Sequence, residues 1–512
     1  MKEILPHTHG VVRGIEGVGR SPRFEGRFGR MFRTLAPARF DEKDLKSLAA
    51  AMVAEAEDPP TSEDQIDAEE NVGKDPKHPA ISAGYTYLGQ FIDHDLTFDP
   101  ASSLQKQNDP DALVDFRTPR FDLDCVYGRG PDDQPYLYED NGVRMLLGRK
   151  LTGNAEDPKA RDVPRNSPEA GPKRALIGDP RNDENVIVSQ LHAAFLRFHN
   201  RLVDLFHGPH ADFRTIQRLV RWHYQWVVLF DFLPTIIGQD ALRSILPHLD
   251  ASTGNRYTAD LRFYTPRNEP FIPVEFSVAA YRFGHSMVRP IYRLNATAQR
   301  LPIFPTRPGM AALTGFGEFR SDLAINWKLF FDFGAGGTER GPGRIQPAYK
   351  IDTSLVNPLG NLPLSVAMQV SSLAERNLLR GLRMGLPSGQ DVARRMGIAP
   401  IPDEKLKVGK AIEPESGAIP DLRLIDISPK FRGNAPLWYY ILADSQKAFH
   451  DNTTPIRLGQ VAGRIVGEVF VGLLKGDRHS FLNQEPLWQP IPEFLNNGKF
   501  GMAELIAQAM RA

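Results

Sequence analysis

The chain has very little cysteine, since Cys125 is the only one among 512 residues. A single thiol excludes an intrachain disulfide framework and any zinc or iron–sulfur site built from several cysteines. Long apolar runs are also missing, because the most apolar segment, 226–238, contains Asp231 and Pro234. We therefore expect a protein without a membrane span.

An excess of charge is absent as well, because 62 basic residues balance 62 acidic residues and the formal net charge is zero. This balance argues against a protein whose main task is to bind nucleic acid or an anionic membrane. Residues 1–20 contain neither an apolar segment of signal-peptide length nor a small-residue cleavage site. We expect a cytoplasmic protein, or one that is exported without a conventional signal.

Helical periodicity is the commonest pattern in the chain, whereas strict alternation of apolar and polar residues is scarce. With 43 glycines and 42 prolines, many loops must interrupt the helices. The sequence predicts a mainly α fold, with a single large helical domain (76–512), long loops, few short strands and an N-terminal arm (1–75). Helices are predicted at 41–56, 82–96, 183–207, 211–231, 238–248, 273–288, 364–381, 390–396, 434–448, 456–475 and 502–510.

The segment GYTYLGQFIDHDLTFDP (84–100) concentrates polar residues in a predicted helix. Gln90, Asp93 and His94 stand at i, i+3 and i+4, which places them on one helix face. Asp95 is rotated by about 100° from His94 and is expected to serve a second site. The residues alone fit either a polar helix face with a capping Asp or a metal site, because His and Asp are both metal ligands.

The segment RTPRFDLDCVYG (117–128) carries Thr118, Arg120, Asp122 and Asp124 at every second position. In an extended backbone alternate side chains share one face, so a hydroxyl and two carboxylates would point the same way. Hard oxygen ligands in a short loop favour Ca²⁺ over zinc or copper. An exposed acidic strand explains the same pattern without a metal.

Four further residues have ordinary explanations when each is taken alone. Arg181 fits a surface charge, and Glu184 fits an acidic residue in the first turn of the helix predicted at 183–207. His285 lies in the helix predicted at 273–288, where a lone histidine is more often a packed core residue. His192 likewise fits a surface or core residue.

Taken together, these segments resemble the animal-type haem peroxidase superfamily, which includes myeloperoxidase, lactoperoxidase and cyclooxygenase. The motifs follow the order of the family over residues 80–485. They are GQFIDHDLTF, the loop that ends in VYG, an R-x-x-E before HNRL, the form R-x-G-H around His285, RNLLRGLRMGLP and GDRHSFLN.

On the distal side, the resemblance implies that His94 is the acid–base residue and Arg181 the catalytic arginine. It implies that Gln90 hydrogen-bonds the distal water or an anion. Asp93 and Glu184 match the carboxylates that form ester bonds to haem methyl groups in mammalian members. The resemblance therefore leaves both an ester-linked and a hydrogen-bonded haem b open.

On the proximal side, the resemblance implies that His285 ligates the haem iron. Arg282 matches the arginine that pairs with a haem propionate. Asn377 takes the place of the asparagine that accepts the other N–H of the proximal histidine.

The calcium loop of the family implies a Ca²⁺ site on Asp95, Thr118, the carbonyl group of Arg120, Asp122 and Asp124. The last ligand of that loop is usually serine. Asp124 keeps an oxygen ligand at this position and adds a negative charge. The ion would connect the loop to the residue next to the distal histidine.

The expected function is that of a haem peroxidase, which reduces hydrogen peroxide through a ferryl intermediate and oxidises small organic donors or halides, with a role in the response to oxidative stress. A fatty-acid dioxygenase of the same superfamily is an alternative. Its radical tyrosine stands three residues before the proximal histidine, where this chain has Arg282, while Tyr281 stands four before. Other classes remain open: a His/Asp metal hydrolase that uses Asp93, His94 and Asp95, or a non-catalytic haem-binding or adhesion protein.

Overall fold

Helices make up most of the regular structure in the computed structural model of the chain, which confirms the mainly α prediction. The structure describes residues 28–55, 69–73, 79–97, 117–206, 211–266, 269–305, 307, 309–334, 343–364, 367, 370–411, 422–450 and 455–512. The α-helices of this part are α1 Glu42–Met52, α2 Ala83–Leu96, α3 Asp124–Tyr127, α4 Val186–Leu205, α5 Phe213–Val227, α6 Leu233–Ile237, α7 Gln239–Ile245, α8 Val274–Ser277, α9 Asn357–Gly360, α10 Leu373–Arg383, α11 Gly389–Arg395, α12 Leu424–Ile427, α13 Leu437–His450, α14 Gln460–Gly476, α15 Phe481–Gln484 and α16 Met502–Ala509. None of these helices combines the length and the hydropathy that a membrane crossing requires.

Strands are few and short in the described residues, as predicted. β1 (Phe28–Gly29) pairs in parallel with β2 (Ile272–Pro273). β3 (Ile291–Tyr292) pairs antiparallel with β4 (Leu301–Pro302). Because each pair is two residues long, the fold depends on helix packing for its stability.

The core of the fold surrounds α4, whose 20 residues are buried along almost the whole helix. α2 packs against α4, and the rings of Phe91 and Phe195 stack with their centroids 4.6 Å apart. Burial of one such side chain contributes about 1.5–3 kcal/mol. Gly84 lets the first turn of α2 approach the carbonyl oxygen of Phe330, because a Cβ there would lie 2.5 Å from that oxygen. These contacts determine which face of α2 meets the start of α4.

Two predicted helices begin later than their sequence patterns indicate. The helix predicted at 183–207 begins at residue 186, since the side chain of Asn185 accepts hydrogen bonds from two backbone N–H groups of the first turn, at 3.0 and 2.9 Å. The helix predicted at 364–381 begins behind the cap residue Ser372. The predictions at 41–56, 82–96, 211–231, 238–248, 390–396, 434–448, 456–475 and 502–510 agree with helices of the structure to within four residues at each end.

The continuous helix predicted at 273–288 is wrong. The structure has the single turn α8, followed by a 3-10 helix, Ala280–His285. Nε of Arg282 donates to the carbonyl oxygen of Ser277 at 2.9 Å. In a continuous α-helix this oxygen would accept from the backbone N–H of Tyr281. His285 therefore ends a tighter helix and is turned differently from the prediction.

Part of the predicted arm 1–75 packs against the rest of the chain. α1 buries its apolar face against α10. The guanidinium of Arg30 donates to the carbonyl oxygens of Met384 and Gly385 at 2.7 and 3.1 Å. The remaining residues of the arm, 1–27, 56–68 and 74–75, lie outside the described residues.

Candidate active site

Helix α2 presents polar side chains to two different places. Gln90 and Asp93 are half-buried, whereas His94 and Asp95 are buried. Gln90 and His94 reach the segment that precedes α4. Asp95 instead lies with the carboxylates of residues 122 and 124. The helical period thus separates the two groups as the sequence predicts.

Arg181 lies in the 3-10 helix Pro180–Asp183, immediately before α4. Its Nη2 donates to the carbonyl oxygens of His94 and Thr97 at 3.1 and 2.5 Å. These two carbonyl groups belong to the last turn of α2 and its C-cap. The guanidinium group therefore satisfies carbonyl oxygens at the C-terminal end of the helix that carries His94.

Asp179 binds Arg181 from the other side. Burial alone would raise the pKa of this carboxyl, but the charges of Arg181 and Arg117 outweigh it and hold that pKa below its usual range. Arg117 donates to Asp179 Oδ2 from Nε and Nη2, at 3.0 and 2.6 Å. Nη1 of Arg117 also lies 3.4 Å from a carboxylate oxygen of Asp124. Arg117 therefore links the segment that carries Arg181 to the acidic loop.

A chain of three buried side chains runs inward from His94. Its Nδ1 lies 2.8 Å from Oδ1 of Asn182, and Nδ2 of Asn182 lies 3.0 Å from Nδ1 of His192. Since Oδ1 can only accept, Nδ1 of His94 carries the proton and Nε2 keeps its lone pair. Burial, together with the charge of Arg181, lowers the pKa of His94 to about 4. The imidazole is therefore neutral and basic at Nε2 near pH 7.

Glu184 lies beside His94, with Oε1 3.9 Å from Nε2. The amide of Gln90 donates to the same oxygen, and Asn185 donates to Oε1 of Gln90 at 3.3 Å. Burial raises the pKa of Glu184 to about 7, although Arg181 opposes the shift. On the same side, the hydroxyl of Thr97 donates to a carboxylate oxygen of Asp93 at 3.3 Å.

The side chains of His285 and Asn377 are hydrogen-bonded to each other. Nδ2 of Asn377 lies 2.8 Å from Nδ1 of His285. In this orientation the amide donates, and the imidazole proton resides on Nε2. Ligation of a metal through Nε2 requires the amide to turn by 180°, so that Oδ1 accepts the proton of Nδ1.

The surroundings of His285 are positively charged. Burial lowers its pKa to about 3, and the charges of Arg282 and Arg376 contribute. Burial also lowers the pKa of Arg282, which Asp93 opposes and Arg181 reinforces. These mutual effects place the distal and proximal groups within electrostatic range of one another. Two guanidinium groups near a half-buried imidazole favour a ligand that carries carboxylates.

Asp95, Asp122 and Asp124 form a cluster in which one oxygen of each lies within 4.8 Å of the others. Among the described residues, neither Asp95 Oδ1 nor Asp124 Oδ1 has a hydrogen-bond partner. Burial and the charge of Asp122 raise the pKa of Asp95 to about 7. Burial also raises the pKa of Asp124 well above its usual value, although Arg117 opposes that shift. A cation would relieve this crowding of carboxylates.

The backbone of this loop differs from the extended form that the sequence analysis assumes. Leu123 has φ of 56°, in the left-handed region, and α3 begins at Asp124. This turn brings the carboxylates of Asp122 and Asp124 together in place of strict alternation. Thr118 donates to Asp122 Oδ2 at 2.7 Å, and Arg120 lies in the same turn, with its backbone N–H donating to the carbonyl oxygen of Thr118 at 2.8 Å.

Tyr281 lies near α2 but is enclosed by aromatic rings. Its hydroxyl donates to the carbonyl oxygen of Gly89 at 3.2 Å. Its ring stacks on that of Phe276 at 4.9 Å and contacts Phe470 at 5.2 Å. The residue three positions before His285 is an arginine.

A family model described as animal haem peroxidase matches residues 102–401, more than half of the chain. The chain belongs to the animal haem peroxidase family. The match begins after α2, so the segment that carries His94 precedes the matched range. It includes the acidic loop, the start of α4 and the pair of His285 and Asn377.

Curated members of the family confirm the relationship. Thyroid peroxidase of Mus musculus is 26% identical over 405 residues, which make up 75% of this chain and 40% of that protein. Peroxidasin of Drosophila melanogaster is 27% identical over 267 residues, 50% of this chain and 16% of that protein. This chain therefore spans less than half the length of these two relatives.

Solved structures share the peroxidase fold. Peroxidase A from Dictyostelium discoideum is similar with a TM-score of 0.61 and 16% identity, over 93% of this chain and 94% of that chain. A fatty acid alpha-dioxygenase from Oryza sativa is similar with a TM-score of 0.52 and 15% identity, over 93% of this chain and 79% of that chain. At these identities the likeness establishes the fold alone.

Membership of the animal haem peroxidase family implies a haem cofactor, and the described residues fit one. His285 is a half-buried, neutral imidazole with a side-chain amide on one of its nitrogens. Arg282 and Arg376 supply positive charge for propionate groups. Histidine with such a partner is a common axial ligand of haem iron.

Four residues around the candidate site were not predicted as functional: Arg117, Asp179, Asn182 and His192. Asp179 and Asn182 lie within two positions of Arg181 in GDPRND. An acid or amide so close to a motif residue could have been predicted from the sequence to be its partner. Arg117 offers no such signal, because its partner Asp179 is 62 positions away in the sequence. His192 offers none, because a histidine in an apolar helix is usually a core residue. His192 is indeed a core residue, as expected, but it also takes part in the hydrogen-bonded chain of His94.

Proposed function

We propose that the chain is a haem-dependent peroxidase that reduces hydrogen peroxide and oxidises small organic donors or halides. The observation that carries the proposal is the arrangement of His94 and Arg181. The histidine is buried with Nδ1 hydrogen-bonded, so that Nε2 is the basic atom. The arginine is anchored to carbonyl groups of the same helix end. A fixed base and a fixed cation are the two groups that cleavage of a peroxide bond needs.

The roles of these residues follow from their atoms. His285 would hold haem b, which would supply the two electrons that reduce peroxide. Nε2 of His94 accepts the proton of one peroxide oxygen and returns it to the other, which departs as water. Arg181 stabilises the negative charge on the departing oxygen. Gln90 holds Glu184 and orients a distal water or anion.

Two carboxyl groups are available for covalent attachment of the haem. Asp93 and Glu184 lie on the distal side, and both match positions that form ester bonds in mammalian members. The pKa of Glu184, raised to about 7 by burial, supports a protonated form near neutral pH. A protonated carboxyl hydrogen-bonds without an ester, so we propose both as haem-contacting residues.

We also propose that Asp95, Thr118, the carbonyl group of Arg120, Asp122 and Asp124 bind Ca²⁺. The buried Oδ1 of Asp95, which has no hydrogen-bond partner among the described residues, supports this proposal. Carboxylate, hydroxyl and carbonyl oxygens are the ligands that Ca²⁺ prefers. The ion would offset the charge that burial makes costly at Asp95 and Asp124.

A fatty-acid dioxygenase is the second candidate, supported by the likeness to the rice enzyme. In that reaction a tyrosine radical abstracts hydrogen from the substrate. In this chain Tyr281 stands four residues before His285. Its hydroxyl donates to a backbone carbonyl oxygen, and its ring is packed against other rings. This environment favours the peroxidase.

The deciding experiment is an absorption spectrum of the haem-loaded chain, before and after one equivalent of hydrogen peroxide. We expect a Soret band that shifts promptly. His94→Ala should keep the Soret band and slow its shift by about 10²- to 10⁴-fold. The matched control is His223→Ala, since His223 is buried in α5 and bonded to backbone groups away from the site.

Other outcomes contradict the proposal. A Soret band that peroxide leaves unchanged would favour the dioxygenase, and oxygen consumption with unsaturated fatty acids would then be measured. The absence of a Soret band after haem loading would exclude a haem enzyme. A His94→Ala variant as fast as the parent would exclude His94 as the base.

A further inference from the structure

Asn182 lies between the two residues of the R-x-x-E motif and points inward. Its side chain is fully buried. Its backbone N–H donates to the carbonyl oxygen of Asp179 at 3.1 Å, within the 3-10 helix that also fixes Arg181. The short helix thus holds an arginine on one side and an amide on the other.

The amide of Asn182 has its oxygen and its nitrogen bonded to different histidines. Oδ1 lies 2.8 Å from Nδ1 of His94, and Nδ2 lies 3.0 Å from Nδ1 of His192. Oδ1 is an acceptor and Nδ2 a donor. The proton of His94 is therefore on Nδ1, whereas Nδ1 of His192 offers a lone pair.

A neutral imidazole carries a single N–H, and its position decides which nitrogen can act as a base. If the proton of His94 moved to Nε2, that nitrogen could no longer accept a proton from a substrate. Glu184 Oε1, 3.9 Å from Nε2, would favour such a proton. Asn182 opposes this tautomer, because it would lose its hydrogen bond to Nδ1.

We propose that Asn182 is the positioning residue that keeps His94 basic at Nε2. His192, anchored on α4, lies 3.0 Å from Nδ2 at the other end of the amide. This proposal rests on the proposed peroxidase function, since it assigns a task to a partner of the distal histidine. Loss of such an outer hydrogen bond typically costs about 10- to 100-fold in activity.

Three variants at one position test the proposal in the haem-loaded chain. Asn182→Leu removes the acceptor oxygen and keeps a side chain of similar volume. Asn182→Ala removes the acceptor with a smaller side chain, which cannot clash with its neighbours. Asn182→Asp keeps an acceptor oxygen. The readout is the second-order rate constant of the Soret shift on mixing with hydrogen peroxide, measured with the haem content and the midpoint of thermal unfolding. The control is Asn200→Leu, because the buried amide of Asn200 makes two hydrogen bonds to the backbone of Met145.

We expect Asn182→Leu and Asn182→Ala to react about 10- to 100-fold more slowly than the parent. Asn182→Asp should recover most of the rate, because His192 can reverse its own tautomer and donate to the new carboxylate. Asn200→Leu should unfold at a lower temperature and keep its rate constant. Rescue by the acceptor-bearing variant is the result that a purely structural role would not give.

The proposal is overturned if Asn182→Leu or Asn182→Ala binds haem and reacts as fast as the parent. It is also overturned if Asn182→Asp is as slow as Asn182→Ala. If Asn182→Leu fails to bind haem, Asn182→Ala and Asn182→Asp carry the comparison. Failure of the peroxidase function itself would give a different result. The parent chain would then not react with hydrogen peroxide, or His94→Ala would react at the same rate as the parent.

Discussion

The carboxylate of Asp179 holds the guanidinium of Arg181 with both of its oxygens. Oδ1 accepts from the backbone N–H and Nε of Arg181 at 2.9 and 3.2 Å, and Oδ2 accepts from Nη2 at 2.8 Å. Oδ2 also accepts two hydrogen bonds from Arg117. One buried carboxylate therefore orients the arginine of the site and connects it to the acidic loop.

Replacement of Asp179 by Asn should impair both stability and chemistry. Removal of one charge leaves two guanidinium groups without their shared counter-charge, which costs about 3–5 kcal/mol for a buried pair. A displaced Arg181 should slow the reaction with peroxide by about 100-fold. Denaturant unfolding and stopped-flow measurement of the Soret shift test the two effects separately.

Asp157 provides the matched control for that variant. It forms a buried pair with Arg197 at 2.6 and 2.9 Å, far along α4 from the site. Asp157→Asn should destabilise the fold to a similar extent and leave the rate constant near that of the parent. Equal loss of rate in both variants would mean that Asp179 acts through stability alone.

The pH dependence of the peroxide reaction should report on His94. Burial and the charge of Arg181 lower its pKa to about 4. Protonated His94 cannot accept a proton, so the rate constant should fall as the pH decreases through about 4. Above about pH 5 the rate constant should be level on this account.

Stopped-flow measurements between pH 3 and 8 test this expectation, with His94→Ala as the control that should lack the acidic decline. A decline centred near 6.5, the ordinary pKa of histidine, would contradict the low pKa of His94. An acidic decline that persists in His94→Ala would assign it to another group.

Several features of the site could be predicted from sequence because they depend on local periodicity or local motifs. The helical period alone separates His94 from Asp95, and the structure confirms the helix that carries both. Asp95, Asp122 and Asp124 lie together in the structure, although not through the extended backbone that the spacing predicted. The family resemblance, given by the motifs, is confirmed by the match over 102–401.

The rest depends on contacts that periodicity does not encode. Arg117 and Asp179 are 62 positions apart, and only folding brings them together. The helix predicted at 273–288 was wrong, because the side chain of Arg282 takes the carbonyl oxygen of Ser277. The left-handed backbone of Leu123, which brings the loop carboxylates together, likewise leaves no signature in a pattern of alternating residues.

Removal of Ca²⁺ should destabilise the chain. Without a cation, the carboxylates of Asp95 and Asp124 lie close together, and the buried Oδ1 of Asp95 has no hydrogen-bond partner among the described residues. A ligand present at 100 times its dissociation constant stabilises a fold by about 2.7 kcal/mol. Chelation should therefore lower the midpoint of thermal unfolding and slow the peroxide reaction, and added Ca²⁺ should restore both.

Metal analysis and a Mg²⁺ control make this test specific. Mg²⁺ requires a smaller octahedral site and should restore less. Asp95→Asn should unfold at the same temperature with and without chelator. A parent chain that contains no calcium and is indifferent to chelation would contradict the proposed metal site.

Asn377 should control the electron density on His285 and thereby the reduction potential of bound haem. When its Oδ1 accepts the proton of Nδ1, the imidazole stays neutral, whereas a carboxylate in its place draws that proton further away. We expect Asn377→Asp to lower the potential of the haem iron, because a more electron-rich ligand stabilises the ferric state. Asn377→Leu, which has no acceptor, should raise it.

Spectroelectrochemical titration of the parent and both variants measures this order directly, with Asn200→Asp as a buried control that should keep the parent potential.

His285→Ala should lose haem or its normal spectrum, which identifies the ligand independently of the potential. Three equal potentials would mean that Nδ1 of His285 is not bonded to Asn377 in the haem-bound chain. The expected order would show that Oδ1 of Asn377 accepts the proton of Nδ1 of His285 in the haem-bound chain.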